Sequence, residues 1–438
     1  MRTTRPGVRR GTPRAVWPHR GLAVALAGGG ALLGWWLPRV ERSHHLGGLS
    51  YDPAAAQATL GAIAAGVITL TGFVLTAVTL VVQSVQNMSP RLVGVLGYFE
   101  RSLVLFGALT GTAVYSLVVL AQISDRSVPR LSVTLAIVFV LVSTGVILRS
   151  LAGLREVVTG GGLVRAVALR LNAALDQAWR EPDQRRRIPG ALSAHPTGRT
   201  GRTDIAATRH GTVQHIDGPA LVAIAARLDV HVDCLVAVGG FVEPGAPILR
   251  VTPGPPSGAD VRRLTRAVRL GPSRSVDDDP AYGLRLLVDI AVRALSPAVN
   301  DPTTAVQAID QIESVLLRLA TRPLGTTTLH DHAGDPRLTV ARPGWDSLVG
   351  LALAEIVLYG RGDLQTHRRM RALFDTLGRA CPPSRAASLT PYRAVLDRAA
   401  QALPHPTLSA AATVPDPQGL GGPDPHDDTP HDDTPPGD

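Results

Sequence analysis

"ITLTGFVLTAVTLVVQSVQ", Ile68 to Gln86, decides the fold of this chain. It is the exit half of an apolar run that starts near Thr59 and carries no charge through Val82. A hydrocarbon core needs ~20 residues of helix to cross it, and this run supplies them. Within it Ala62, Ala65, Thr69, Gly72, Thr76, Thr79, Gln83 and Gln86 recur at alternating spacings of three and four. That spacing puts all of them on one helix face, small toward one end and polar toward the other. Lipid offers no hydrogen-bond partner, so such a face should meet protein or water. At its plainest it is a packing seam against the third and fourth spans, helped by the small-xxx-small pair Gly107 and Gly111 of span three. The sharper alternative is a pore lining, formed when several copies assemble around span two. No span carries a charge before its end, which weakens proton relay or ion-coupled pumping.

Working outward, three more runs match the second. "GLAVALAGGGALLGWW", from Gly21, is bracketed by Trp17 and by Trp35 and Trp36, residues that favour the membrane interface. An arginine-rich start before an apolar core also describes a signal peptide. The run ends without a small-residue cleavage site and further spans follow, so it is taken as span one. Spans three and four cover about Ser102–Ile123 and Leu131–Leu154. Residues 1–20 hold six arginines, while each short loop after spans one to three holds about two. Positive residues stay inside, so the sequence predicts both termini in the cytoplasm of a bacterial cell and the spans in its inner (plasma) membrane.

Composition removes several functions. The chain has no lysine, which excludes a Walker-type phosphate loop, a Schiff base and a swinging arm. Cys234 and Cys381 are far apart and imply no disulfide framework, which suits a reduced compartment. The net charge of +9 hides an asymmetry, since residues 404–438 hold seven aspartates and no arginine. Aromatic residues are scarce and no basic helix is interleaved with them, so no nucleic acid is expected as a partner. No cofactor or metal is implied.

After span four, "TGGG" (Thr159 to Gly162) breaks the helix, and residues 163–180 resume it with Arg165, Arg170 and Arg180. This helix either lies on the inner membrane surface or packs as an ordinary core helix. A linker rich in turn formers and arginine follows. Residues 211–252 then turn β-rich: "GTVQHID" as a strand, "PALVAIAARLD" as a short helix, "VHVDCLVAV" as a strand, and "GGFVEPGAPILRV" as a hairpin of lipoyl-like type. His215 with Asp217 and His231 with Asp233 form two H-x-D pairs, each on one strand face. If the strands were neighbours, four metal-type ligands could converge; two solvated polar faces explain them more simply.

Helices dominate the remainder. Tyr282 to Leu295 is apolar nearly all round except for Arg285, Asp289 and Arg293, a stripe with a four-residue repeat. "SPAVNDP" follows. Pro297 ends that helix, Asp301 is a good N-cap and Pro302 fits the first helical position of the next. The joint is chiefly a capped turn. The alternative is a polar site of Arg285, Asp289, Arg293, Asn300 and Asp301 that binds an anion or a partner.

Blocks of this text resemble a bacterial family of predicted membrane proteins, domain-of-unknown-function family 2254. They are "ITLTGFVLTAVTLVVQSVQNMSPRL", "GTVQHID" with "GGFVEPGAPILRV", and above all "YGLRLLVDIAVRALSPAVNDPTTAVQAID". The resemblance implies a four-span N-terminal half and a cytoplasmic C-terminal half, and carries no activity or catalytic residue. The expected fold is therefore a polytopic α-helical membrane domain with four spans, then a cytosolic α+β domain with a small β-rich subdomain and a helical C-terminal part. Its boundaries are a basic N-terminus (1–20), the transmembrane domain (21–155), a surface helix and linker (156–204), the β-rich subdomain (205–256), the helical domain (257–403) and a disordered acidic tail (404–438).

Function is expected to be non-enzymatic, since the zinc-protease, nucleophile-elbow, C-x-x-C and dinucleotide motifs are missing from the sequence. The first choice is a homo-oligomeric channel or transport-like protein in the lipid bilayer with a cytosolic regulatory domain. The second is a membrane-anchored signalling or scaffold module that binds a cytosolic protein or small ligand.

Overall fold

The computed structural model describes residues 17–44, 49–88, 91–92, 98–124, 127–158, 160–178, 187–189, 201–254 and 256–420. They fall into two compact units, one ending at Thr159 and one beginning at Gly160. The arginine-rich start before Trp17 and the last acidic residues after Leu420 lie outside the described residues.

The first unit holds α1 (Trp17–His44), α2 (Pro53–Met88), α3 (Tyr98–Leu120) and α4 (Arg130–Val158). Each is long and apolar enough to cross a membrane. Glycine brings α1 and α3 together. A methyl group added at Gly30 would strike the backbone of Gly111, one at Gly107 the backbone of Ala23, and one at Gly111 the backbone of Leu26. Gly107 and Gly111 therefore do form a close-approach face, but its partner is span one, not span two. Helix α2 uses valine instead. Val67, Val74 and Val78 join Leu105, Leu109 and Ala113 of α3 and Ile147 of α4 in one cluster. At the other end of the bundle Leu60, Tyr115, Val119 and Val133 form a second.

One carboxylate ties α1 to α4. Glu41 is buried, and its Oε1 accepts from the Leu131 amide at 2.7 Å. Its Oε2 accepts from the amide and hydroxyl of Ser132 at 3.1 and 3.0 Å. First-turn amides of a helix have no partner within it, and the helix dipole favours an anion there.

The second unit is α+β. A six-stranded sheet runs in the order β1-β8-β9-β4-β6-β2 and a three-stranded sheet in the order β5-β3-β7. The strands are β1 (Arg187–Pro189), β2 (Thr203–Ala206), β3 (Gly211–Ile216), β4 (His231–Cys234), β5 (Phe241–Val242), β6 (Pro247–Thr252), β7 (Val268–Gly271), β8 (Thr327–His330) and β9 (Pro336–Val340). Among the described residues β4 and β9 pair in parallel and the other pairs are antiparallel. Helix α5 (Gly160–Ala178) precedes the first strand, and between strands run α6 (Gly218–Leu228), α7 (Gly258–Ala267), α8 (Pro280–Ala294) and α9 (Pro302–Leu319). After β9 come α10 (Trp345–Tyr359), α11 (Leu364–Ala380), α12 (Pro383–Ala386), α13 (Thr390–Gln401) and α14 (Pro406–Ala412).

Aspartates punctuate this unit. Asp217, Asp279, Asp301 and Asp363 are the N-caps of α6, α8, α9 and α11, each accepting from an amide three residues on. Three of the four helices have proline in the first turn, where its missing amide costs nothing. Both sheets share one core, in which Val213 of β3 meets Val232, Leu249 and Val251 of the larger sheet and Leu221 and Leu264 of the helices.

Four expectations need correcting. The segment "GGFVEPGAPILRV" is not a hairpin: β5 pairs with β3 and β6 with β2 and β4, so the turn at Gly245 passes the chain from one sheet to the other. The β structure is not confined to 205–256, because β1, β7, β8 and β9 come from outside it. Helix α5 is an ordinary packed helix, with Leu163, Val167, Leu171 and Leu175 buried and α8 and α9 against it. Residues 404–420 are not disordered. Ala412, Asp416 and Gly419 are buried there, and buried arginines of α11 bind their backbone.

Candidate functional site

The seam of α2 stands on the side away from the bundle. Ala62, Ala65, Thr69, Gly72, Thr76, Thr79, Gln83 and Gln86 are all exposed. At 100° per residue they lie opposite Val67, Val74, Val78 and Val85, which are buried. Packing of the seam against spans three and four is thereby overturned. The valines occupy that face because branched apolar side chains fill the grooves of α3 and α4. Val78, which periodicity alone leaves as a lipid-facing position, belongs to the packed side. The hydroxyls of Thr69, Thr76 and Thr79 donate to the carbonyls of Ala65, Gly72 and Leu75 of their own helix, at 3.0, 3.1 and 2.9 Å. Gly72 has nothing within 4 Å of the space a side chain would take. The result is a small, hydrogen-bond-satisfied groove, flanked by exposed Ile68, Leu75 and Leu80.

The polar cluster divides in two. Arg285 donates to Asp289 at 2.6 Å and makes a two-pronged contact with Glu355 of α10, Nη2 to Oε2 at 2.8 Å. The hydrogen bond from Arg285 holds the Glu355 carboxyl below the usual range, and the same bond raises the Arg285 pKa. Arg293 is exposed one turn further on. Asn300 and Asp301 belong to the turn. Asn300 is left-handed at φ 49°, a conformation asparagine tolerates better than most residues. Asp301 caps α9, accepting from the Thr304 amide at 3.1 Å and its hydroxyl at 2.6 Å. Its own amide donates to the Ala294 carbonyl at 2.8 Å, closing the joint.

The H-x-D residues do not converge, because β3 and β4 lie in different sheets. His215 meets Asp278 at 2.8 Å. Asp217 is a helix cap. His231 is buried, with Nδ1 3.1 Å from the Pro336 carbonyl and Nε2 2.9 Å from the Thr339 hydroxyl and 3.3 Å from Asp233. Burial disfavours its charged form, but the hydrogen bond to Asp233 and the Pro336 carbonyl leave its pKa above the ordinary value. Burial also pushes the Cys234 thiol up to about 12 and raises that of Cys381. Neither is a thiolate at neutral pH, so neither is poised as a nucleophile.

Sequence periodicity misses Glu355, because on α10 it stands in an apolar stretch whose other acid, Asp346, is at the far end, and its partner lies seventy residues back. It also misses the arginines of α11, where consecutive Arg368 and Arg369 and nearby Arg371 are 7%, 5% and 6% exposed. Arg369 reaches Asp310 at 2.7 Å and Glu313 at 2.5 Å, both on α9.

Comparison with known proteins adds the following. The family described as predicted membrane protein (DUF2254) matches residues 14–376. An uncharacterised protein of Mycobacterium bovis is 28% identical over 406 residues, covering 88% of this chain and 76% of its own. An uncharacterised protein of Mycobacterium tuberculosis strain H37Rv gives the same identity and coverage. No solved structure matches the chain.

Proposed function

The chain belongs to the DUF2254 family of predicted membrane proteins, and from that premise we propose that it is a homo-oligomeric channel or transport-like protein of the bacterial inner membrane. The observation that carries the reading is the seam of α2, whose eight positions are all exposed in the single chain. Helix α2 has 36 residues and is ~54 Å long, while a hydrocarbon core is ~30 Å thick. Thr69, Gly72, Thr76 and Thr79 fall in its middle part, and Gln83 and Gln86 toward one end. The threonine hydroxyls are satisfied within the helix, but the side-chain amides of Gln83 and Gln86 would lose their solvent against acyl chains, so this face favours a second copy or a water-filled path. Several copies facing one another across it would enclose a narrow, uncharged, hydroxyl- and amide-lined lumen. With both termini cytoplasmic, as the arginine count predicts, Gln83 and Gln86 are at the cytoplasmic end of the span, and the second unit serves as a cytosolic regulatory domain. The protein acts without catalysis in this reading.

Flux through purified full-length protein in liposomes tests it. Thr76→Leu and Thr79→Leu should each lower flux at least about tenfold, whereas Val142→Leu on the exposed side of α4 should not. A Thr76→Cys chain should react with a membrane-impermeant maleimide if the seam faces water. Absent flux together with a silent Thr76→Cys would sink the channel. The second reading, a membrane-anchored module for a cytosolic partner or small ligand, would then stand on the two-pronged Arg285–Glu355 contact and the arginine-rich α11.

A further inference from the structure

At one end of the membrane unit two arginines share a single support. Arg39 and Arg42 are exposed on the last turns of α1, and Gln122 follows the end of α3. The Gln122 side chain is fixed by its amide nitrogen, which donates to the Gly34 carbonyl at 2.7 Å and the Val118 carbonyl at 3.2 Å. Gly34 makes that reach possible, since a methyl group there would come within 2.9 Å of the Tyr115 carbonyl oxygen. The Gln122 oxygen is left to accept, and both guanidinium groups donate to it, Arg39 Nη1 at 3.0 Å and Arg42 Nη2 at 3.4 Å. Arg39 Nη1 also donates to the Trp35 carbonyl, and Arg42 Nε to the Pro38 carbonyl at 3.0 Å. The Arg39 guanidinium lies over the Trp35 ring, 3.9 Å from its centroid.

Two cations thus converge on one neutral oxygen, an arrangement that their mutual repulsion opposes. Neither is paired with an acid among the described residues. The acids at this end are committed elsewhere, Glu41 to the first amides of α4 and Asp52 to the Ala55 amide of α2 at 2.6 Å. Arg39 Nη2 and Arg42 Nη1 keep N–H donors that no group of the described chain takes up. The helix sets their depth. Arg20 and Arg39 bracket the apolar stretch of α1 and stand ~28 Å apart along it, close to the ~30 Å of a hydrocarbon core. With Arg20 at one headgroup layer, Arg39 is at the other, where exposed Trp35 and Trp36 mark the interface. We propose that Arg39 and Arg42, positioned by Gln122, form a phosphate site at headgroup depth whose occupant is an anionic phospholipid. The planar fork of each guanidinium suits phosphate oxygens, and such charge-assisted bonds are roughly twice as strong as those to a neutral acceptor. A zwitterionic choline lipid fits less well. Its quaternary ammonium would meet two cations, and the Trp35 face that could hold it is covered by Arg39. A bound headgroup completes the join between α1 and α3 that Gln122 begins.

The test is native mass spectrometry of the full-length protein in detergent, titrated with phosphatidylglycerol, phosphatidylcholine or inorganic phosphate. The native chain should retain phosphatidylglycerol at least about tenfold more tightly than phosphatidylcholine, and inorganic phosphate should not displace it. Arg39→Gln together with Arg42→Gln should weaken phosphatidylglycerol binding about tenfold or more, because the charged donors are lost. Both side chains are exposed, so an unchanged melting temperature should accompany that loss. Arg42→Gln alone, which leaves Arg39 on Trp35, should already give part of it. Arg20→Gln, at the other end of the same helix, should leave the affinity nearly unchanged. Equal affinity for the two lipids overturns the proposal, as does binding that survives the double substitution. Displacement by inorganic phosphate would assign the arginines to a soluble oxyanion and overturn the headgroup. A loss with Arg20→Gln as large as that of the double variant would reduce the effect to general surface charge and overturn the site.

Discussion

Two faces of the membrane unit are built from small residues, and they end differently. On α3, Gly107 and Gly111 meet α1 so closely that no side chain fits between them. On α2, Ala62, Ala65, Thr69, Gly72 and Thr76 are exposed, with no other helix of the described residues over them. Spacing alone does not distinguish the two. What distinguishes them is the opposite face of each helix. Helix α2 carries valines on its other side that fill the grooves of α3 and α4, so its small face turns outward. Helix α3 is enclosed by α1, α2 and α4, so its small face is consumed inside the bundle. A small-residue stripe is thus a capacity for close approach, and the rest of the helix decides whether the chain itself uses it.

Parallel substitutions break or sharpen that comparison. Gly111→Leu should have the largest effect. Overpacking usually costs ~1–3 kcal/mol and more where backbone is struck, so we expect loss of the monodisperse folded protein in size-exclusion chromatography. Normal folding of this variant would show that α1 is not seated on α3 as described. Next, in the second unit, is Asp289→Ala. It strips one partner from Arg285 but leaves Glu355 in place, so thermal unfolding should report a loss of about 1–3 kcal/mol. Asp301→Ala removes a cap and should cost ~0.5–2 kcal/mol by the same measurement. A larger loss for Asp301 than for Asp289 would mean that the joint, not the ion pair, anchors α8 to its neighbours. The smallest effect on folding belongs to Gly72→Leu, the counterpart of the first. Its open surroundings and the gain of up to ~1 kcal/mol in helix propensity predict unchanged or slightly raised monomer stability. Its effect should appear instead as a shift in oligomer distribution in native mass spectra.

The spans were legible because apolar length is a local signal, readable without knowing what any helix touches. The cap at Asp301 was legible for the same reason, since an aspartate before a proline-bearing first turn speaks only of its own helix, whereas Asp217 was placed on a strand face by its H-x-D spacing and is a cap instead. Partners at a distance were not. Nothing near Val232 announces its parallel neighbour Leu338, and nothing near β5 says that the turn after it changes sheet. The segment after Pro404 looked disordered because its composition is poor in apolar residues. What holds it is a set of donors on α11, and a segment's own composition is silent about donors elsewhere.

The Glu41 cap ties together two points ninety residues apart, at the end of the first span and the start of the fourth. Two passes lie between them, so they arrive on the same side of the bilayer whichever way the protein enters. A chain in which the translocation machinery skipped one of those passes would leave Glu41 and Ser132 on opposite sides, with the carboxylate unable to reach. The bond works as a parity check on insertion. Glu41→Gln should therefore increase the fraction of chains with a misoriented C-terminus, measured with a compartment-sensitive reporter fused after the last residue.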